Sequence, residues 1–217
     1  MKKALHVISN GRLSLEDFAA IAKRIDPYVD KFHIREKQRT AREIYRGVQV
    51  LIEKGISCHK VVIHDRIDVA WAASTGVQLA YHSLPVGIVK EKFPYLTAGV
   101  SVHSFREAIE SAQSGADYLL FGHVFETESK RGFPARGVEM LKKITMHLSI
   151  PVIAIGGIKP ENVWSVLDAG AAGIAVMSGI LQAENPVTAA RKYAEKLEAR
   201  SERRDGFSDQ WRSSECP

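Results

Sequence analysis

Residues Gly115–Gly137, GADYLLFGHVFETESKRGFPARG, contain an apolar run from Tyr118 to Phe121 that stops at Gly122 and is followed by His123. A polar, basic loop with Thr127, Lys130 and Arg131 comes next, and a helical pattern resumes near Val138. A short apolar run bounded by glycine reads as a parallel strand buried on both faces. Such a strand delivers His123 to its C-terminal end. Open α/β sheets and α/β barrels both place their chemistry at that edge.

Working outward, the same unit recurs along the chain. Leu5–Ser9, Val29–Arg35, Lys60–His64, Gly76–Leu79, Leu96–Val100, Pro151–Ile155 and Ala172–Val176 read as further short strands. Between them lie apolar stripes at helical spacing. Ser14 caps a helix carrying Leu15, Phe18, Ile21 and Ala22, and Thr40 opens one through Ile44, Val48, Leu51 and Ile52 that stops at Gly55. Ser104 caps another, and Pro186–Ala199 is the last. A repeat of about 25 residues over roughly 200 predicts a single-domain (β/α)8 TIM barrel across residues 1–200. A doubly wound open sheet is the rival. The barrel is preferred because the strand count closes at eight and no change of composition divides the chain. From Ser201 the sequence SERRDGFSDQWRSSECP loses periodicity, so residues 201–217 are expected to form a disordered C-terminal tail.

The chain has 217 residues, 45% of them hydrophobic, enough for one well-buried core. No apolar run is long enough to span a bilayer, and the MKK start is not followed by a signal-peptide core, so a cytoplasmic protein is expected. Cys58 and Cys216 provide no disulfide framework. The net charge of +5 comes from Lys and Arg interspersed with Asp and Glu, without a basic block carrying aromatics. That pattern fits anionic small molecules rather than nucleic acid.

In a barrel the strand ends converge on one mouth. Arg35, Lys37, Asp65, Ser101, His103, His123, Thr127 and Lys130 would gather there, with Gly156-Gly157 and Met177-Ser178-Gly179. Two glycine turns after strands seven and eight match the usual barrel phosphate site, where bare amides and helix dipoles hold the anion. The bland alternative is that these glycines only permit tight turns. Arg35, Lys37 and Lys130 would add positive charge. His123 is the candidate acid/base, because imidazole titrates near neutrality; its alternative is a satisfied structural histidine. His33 and His64 read as pocket walls and His103 as a loop-orienting residue, whereas His6 and His82 carry no signal. No His/Cys spacing points to zinc, and no metal site is expected.

HIREK (His33–Lys37), IHDRIDVA (Ile63–Ala70), GVSVHS (Gly99–Ser104), GADYLLFGHVFETESKRG (Gly115–Gly132), PVIAIGGI (Pro151–Ile158) and AAGIAVMSGI (Ala171–Ile180) together resemble the thiamin phosphate synthase superfamily. Within it the chain is most similar to the TenI branch, the thiazole tautomerases, whose hallmark FGHVFET stands at Phe121–Thr127. The synthases carry Gln where His33 stands, Asn where His64 stands, and Gly-Pro where Gly122-His123 stands. They bind Mg²⁺ with two aspartates; Asp65 matches the first, but the second falls in a stretch that reads Ala80-Tyr81-His82-Ser83 here. The resemblance therefore implies an intramolecular isomerase without metal or cofactor, in which His123 moves a proton that aromatises a thiazole carboxylate phosphate. Arg35, Lys37, Ser101, Thr127, Lys130, Gly157, Met177 and Ser178 would hold that single substrate. The alternatives are a Mg²⁺-dependent thiamin phosphate synthase and a non-catalytic sensor of a phosphate ligand. Neither nucleic acid nor membrane is expected as a partner, and exposed barrel helices allow a homodimer.

Overall fold

The structure, a computed structural model, describes the backbone of residues 2–209 and the side chains of residues 2–199. Eight parallel strands close into one barrel in chain order. They are β1 (Ala4–Ile8), β2 (Lys31–Ile34), β3 (Val61–His64), β4 (Gly76–Leu79), β5 (Ala98–Val102), β6 (Tyr118–Gly122), β7 (Val152–Ile155) and β8 (Gly173–Val176). The ring shuts where β8 pairs with β1, from Ala4↔Gly173 to Val7↔Val176. Closure leaves no strand edge, so every strand finds hydrogen-bond partners on both sides. The (β/α)8 expectation holds.

The helices are α1 (Leu15–Ile25), α2 (Ala41–Glu53), α3 (Ile67–Ala72), α4 (Val86–Lys92), α5 (Phe105–Gln113), α6 (Val138–His147), α7 (Val163–Asp168), α8 (Ser178–Leu181) and α9 (Pro186–Asp209). Local chemistry sets several starts. Ser14 Oγ accepts from the Asp17 amide at 3.0 Å, and Ser104 Oγ accepts from the Glu107 amide. Thr40 and Glu43 form a reciprocal capping box. Several strand ends lie one or two residues from the sequence reading, as at β2 and β5, and helix boundaries differ as well. The Gly156-Gly157 turn does not run straight into a helix: Asn162 Oδ1 accepts from the Lys159 amide and its Nδ2 donates to the Gly157 carbonyl, which holds an intervening turn before α7. The last helix continues past Ala199 to Asp209, and residues 210–217, with Cys216, lie outside the described residues.

Alternate strand residues face the helices or the barrel interior. The helix-facing set (Leu5, Val7, Phe32, Ile34, Ile63, Val77, Leu79, Leu119, Phe121, Ala154 and Ile174) joins Phe18, Leu51 and Leu141 in the larger core. The interior is divided. Ile8, Tyr118, Leu120, Ile153 and Ala175 form a small apolar cluster, with Ile155 and Met177 against it. On the other side stand His6, His33 and His64, bonded in a row, and Gln78, bonded to Ser101.

Gly99 marks the meeting of these two sides. A Cβ there would lie 2.2 Å from Tyr118 Cζ and 2.6 Å from Gln78 Oε1. Gly99→Ala should therefore destabilise the barrel by about 1–3 kcal/mol, as overpacking of a filled interior does. A urea melt checks this: the midpoint should fall with an unchanged slope, and an unshifted midpoint would show that the interior has room to relax.

Candidate active site

All strands are parallel, so the C-terminal ends of all eight open on one face. Arg35 and Lys37 follow β2, His64 ends β3, His123, Thr127 and Lys130 follow β6, Gly157 follows β7, and Met177 and Ser178 follow β8. Ser101 lies within β5 and accepts from Gln78 Nε2 at 3.1 Å, so it belongs to the barrel interior as much as to the mouth. Lys37, Lys130 and Ser178 are exposed, whereas Arg35, Thr127 and Met177 are partly buried.

The segment after β6 is bound to the turn after β7. The Val124 amide donates to the Ile155 carbonyl at 2.9 Å and the Phe125 amide to the Gly156 carbonyl at 3.0 Å. Gly122, Gly156 and Gly157 make that approach possible. A Cβ would stand 2.3 Å from the Ile155 carbonyl oxygen at Gly122, 2.3 Å from His123 Cβ at Gly156, and 2.4 Å from the Glu126 carbonyl oxygen at Gly157. Gly156 and Gly157 also adopt φ values of +96° and +66°, which favour glycine. Close packing therefore accounts for these glycines before any ligand is considered.

His123 is 6% exposed, and its Nε2 donates to the Phe133 carbonyl at 3.1 Å. The Arg136 amide in turn donates to the His123 carbonyl at 2.9 Å. His123 thus holds the far part of the loop between β6 and α6 twice, through its ring at Phe133 and through its backbone carbonyl at Arg136. Lys130 and Arg136 reach close enough to lower the proton affinity of His103, after burial as the main cause, while Glu107 opposes them. His103 is bound to its own helix start, with its amide donating to Glu107 Oε2 at 2.7 Å.

Across the mouth, the end of β2 is held by groups the sequence did not single out. The Arg35 amide donates to Ser9 Oγ, and that hydroxyl donates to Glu36 Oε1 at 2.6 Å. Glu36, 8% exposed, pairs through its other oxygen with Arg39 at 3.1 Å. Next to it, Asp65 adopts a φ of +63°, bonds Ser83 Oγ through one oxygen and faces His82 Nε2 at 3.1 Å through the other.

This set does not reproduce a two-carboxylate Mg²⁺ site. Asp65 stands as a single carboxylate with both oxygens engaged, and Ser83 lies opposite it. Among the described residues no three His, Cys, Asp or Glu side chains group in a way that could hold a metal ion.

The largest surprise is His6, which carried no signal in the sequence. It is 5% exposed, and its Nδ1 lies 2.9 Å from His33 Nε2. His33 is fully buried, and its Nδ1 lies 3.0 Å from His64 Nε2. Burial, then Lys31, pushes His6 down to about 3, with Asp30 opposing. Burial, then Arg35, pushes His64 down to about 3, with Asp65 opposing. His33 is driven well below the usual histidine range by burial, then by its two neighbouring rings. The only sequence cue was period two: His6, His33 and His64 all fall on inward positions.

Comparison with known proteins places this geometry. The thiamine monophosphate synthase family model matches residues 5–180. Over 186 residues the chain is 38% identical to a thiamine-phosphate synthase of Pyrococcus horikoshii, covering 85% of this chain and 89% of that protein. A thiamine-phosphate synthase of Chlorobium luteolum is 40% identical over 165 residues, covering 73% and 76%. The structure of a thiamine phosphate pyrophosphorylase from Pyrococcus furiosus superimposes with a TM-score of 0.79 at 35% identity, covering 90% of this chain and 96% of that one. A 3-hexulose-6-phosphate synthase, at 21% identity and a TM-score of 0.67, shares the fold alone. These relatives overturn the assignment to the TenI branch drawn from FGHVFET: they are synthases, not thiazole tautomerases. The isomerase class, the single thiazole phosphate substrate and the proton-moving role given to His123 fall with that assignment. No described helix is long and apolar enough to cross a membrane.

The buried rings have a consequence for stability. An unfolded histidine takes up a proton near pH 6.5, whereas His6 in the folded chain resists it until about pH 3. Its contribution is thus complete above pH 6.5 and is lost progressively as the pH falls towards 3. His64, brought down as far, loses its contribution over the same window, and His33 shifts in the same direction. Urea melts between pH 7 and pH 4.5 should show a steep acid loss, and His6→Gln should flatten it. An equally steep loss in the variant would show that other groups govern the acid limb.

Proposed function

This chain belongs to the thiamine monophosphate synthase family, and on that premise we propose that it joins a thiazole phosphate to a pyrimidine pyrophosphate. The bond between the pyrimidine's exocyclic carbon and the pyrophosphate oxygen breaks, the thiazole nitrogen bonds that carbon, and pyrophosphate leaves. The observation that carries the reading is similarity to synthases over most of both chains.

The mouth has features suited to two anionic partners. One lies at β7 and β8, where Gly157 and Ser178 start turns and Ser178 is exposed at the head of α8. The thiazole phosphate would sit there, with Thr127, Met177 and Lys130 beside it. The other side, at β2 and β3, carries Arg35, Lys37 and the His64 ring, and would take the pyrophosphate. Since β2 and β7 stand three places apart round the closed ring, the two anions approach from different directions and their reacting atoms meet over the barrel axis. Such positioning replaces an encounter in solution by a held geometry. Cations already in place on the pyrophosphate side stabilise the negative charge that develops as the bond to carbon breaks. His123, bonded to Phe133, would keep the β6–α6 loop closed over the thiazole side.

Purified protein should form thiamine phosphate from the two substrates in Mg²⁺-containing buffer, followed by chromatography of the product and by pyrophosphate release. Ser178→Asp should lower kcat/KM for the thiazole phosphate about tenfold or more, by setting a negative charge against the phosphate. Arg35→Ala should instead weaken the pyrophosphate substrate. Absence of product from the wild-type chain under these conditions would overturn the reading.

A further inference from the structure

His6, His33 and His64 come from three successive strands and form a regular chain, in which Nδ1 of each ring meets Nε2 of the next at 2.9 and 3.0 Å. The ring centroids are 5.1 and 5.2 Å apart. A contact of this kind needs one proton and one lone pair: two N–H groups repel, and two lone pairs leave no bond. A neutral imidazole carries one proton in total. Only two arrangements then satisfy both junctions. Either all three rings carry the proton on Nδ1, or all three carry it on Nε2; every mixed set ruins at least one junction. Three neutral rings meet both junctions without placing a charge in the barrel interior.

The two arrangements present different groups at the ends. His64 is the partly exposed member, last in β3 and beside Asp65, and its Nδ1 is the ring nitrogen the chain leaves unused. With the protons on Nδ1, His64 offers an N–H donor; with the protons on Nε2, it offers a lone pair. The state of that nitrogen is shared with His6, two strands away.

We propose that His6, His33 and His64 act as one tautomeric unit, and that a phosphate-bearing anion at the β2–β3 side of the mouth selects the arrangement in which all three rings carry the proton on Nδ1. His6 and His33 are positioning residues in this scheme. They touch no substrate, but they fix which hydrogen-bonding group His64 presents. The anion part rests on the synthase reading above; the shared tautomer rests on the two junctions alone. An anion draws a donor towards it, His64 Nε2 must then accept from His33 Nδ1–H, and His33 Nε2 must accept from His6 Nδ1–H. No net charge enters the interior, so the polarity reverses without the cost of a buried imidazolium.

The test is nitrogen NMR of the full-length protein labelled with ¹⁵N-histidine, in which a nitrogen bearing a proton and one bearing a lone pair are distinguished directly. Single His→Gln variants assign the three rings. In the free protein the three should report the same tautomer, or the same average of the two. Saturating inorganic pyrophosphate should bring all three to Nδ1–H. In His33→Phe, pyrophosphate should still move His64 but leave His6 unchanged, and affinity should fall roughly tenfold through loss of an oriented donor. Should the Phe variant not fold, His33→Leu removes both junctions with a smaller apolar side chain, and His6 should again be uncoupled. Mixed tautomers in the free protein would overturn the shared chain, whatever the enzyme does. Retention of Nε2–H by any of the three rings in the pyrophosphate complex, or failure of pyrophosphate to bind, would overturn the selection by an anion.

Discussion

Inside a closed eight-stranded barrel, an inward side chain has no neighbours except other inward side chains. Water is excluded and the backbone is fully engaged in the ladder, so a polar group placed there must find its partner on an adjacent strand or stay unpaired. The chain meets this constraint by dividing the interior. Leu120, Ile153, Ala175 and Ile8 pack as hydrocarbon, whereas His6, His33 and His64 bond in a row across β1 to β3 and Gln78 bonds Ser101 across β4 and β5. Tyr118 lies at the boundary, its ring edge-on to His6 at 5.9 Å. The Tyr118 hydroxyl and Gln78 Oε1 have no protein partner. Burial raises the proton affinity of that phenol, so it remains neutral. The division carries a cost in desolvation, and the gain is a row of oriented dipoles ending at the mouth.

The mouth is built with the same economy. Its β6 and β7 segments run so close together that side chains at 122, 156 and 157 would collide with backbone or Cβ atoms opposite. His123 sits where these segments meet and bonds the far end of the loop that follows. On the opposite side, the buried Ser9 and Glu36, with the partly exposed Arg39, set the path of the chain beyond β2, and so set where Arg35 and Lys37 emerge. Rigid strands thus fix the origin of each functional segment, and a few buried polar contacts fix its direction.

That packing bears on why a short motif misled. FGHVFET was read as the mark of a branch and of a proton transfer at His123. In the structure, several of its residues answer to the fold: Gly122 to the Ile155 carbonyl, His123 to Gly156 and Phe133, and Val124 and Phe125 to the β7 turn. Residues held by packing report on architecture first, and architecture is what a whole family shares. Similarity over most of the chain weighs 186 positions in one relative and 165 in another, and pointed to the synthases instead. The eightfold alternation was legible for the opposite reason: its signal is distributed over every strand and helix, and no single position has to be interpreted.

By itself, the sequence determined the eight units, the caps at Ser14, Thr40 and Ser104, and the set of residues gathered at one end, including Arg35, Lys37, His123, Gly157 and Ser178. These follow from periodicity, capping chemistry and the rule that parallel strands share one C-terminal face. The tertiary structure alone decided which of these residues are tied to one another. His6 became the base of a three-ring chain, Glu36 a buried brace and Asp65 the partner of Ser83. Each of those contacts joins residues on different strands or loops, and a closed ring sets their separation by register and tilt. Nothing in the local sequence encodes the distance between two inward side chains on neighbouring strands, and that distance decides whether two histidines are bystanders or one hydrogen-bonded unit.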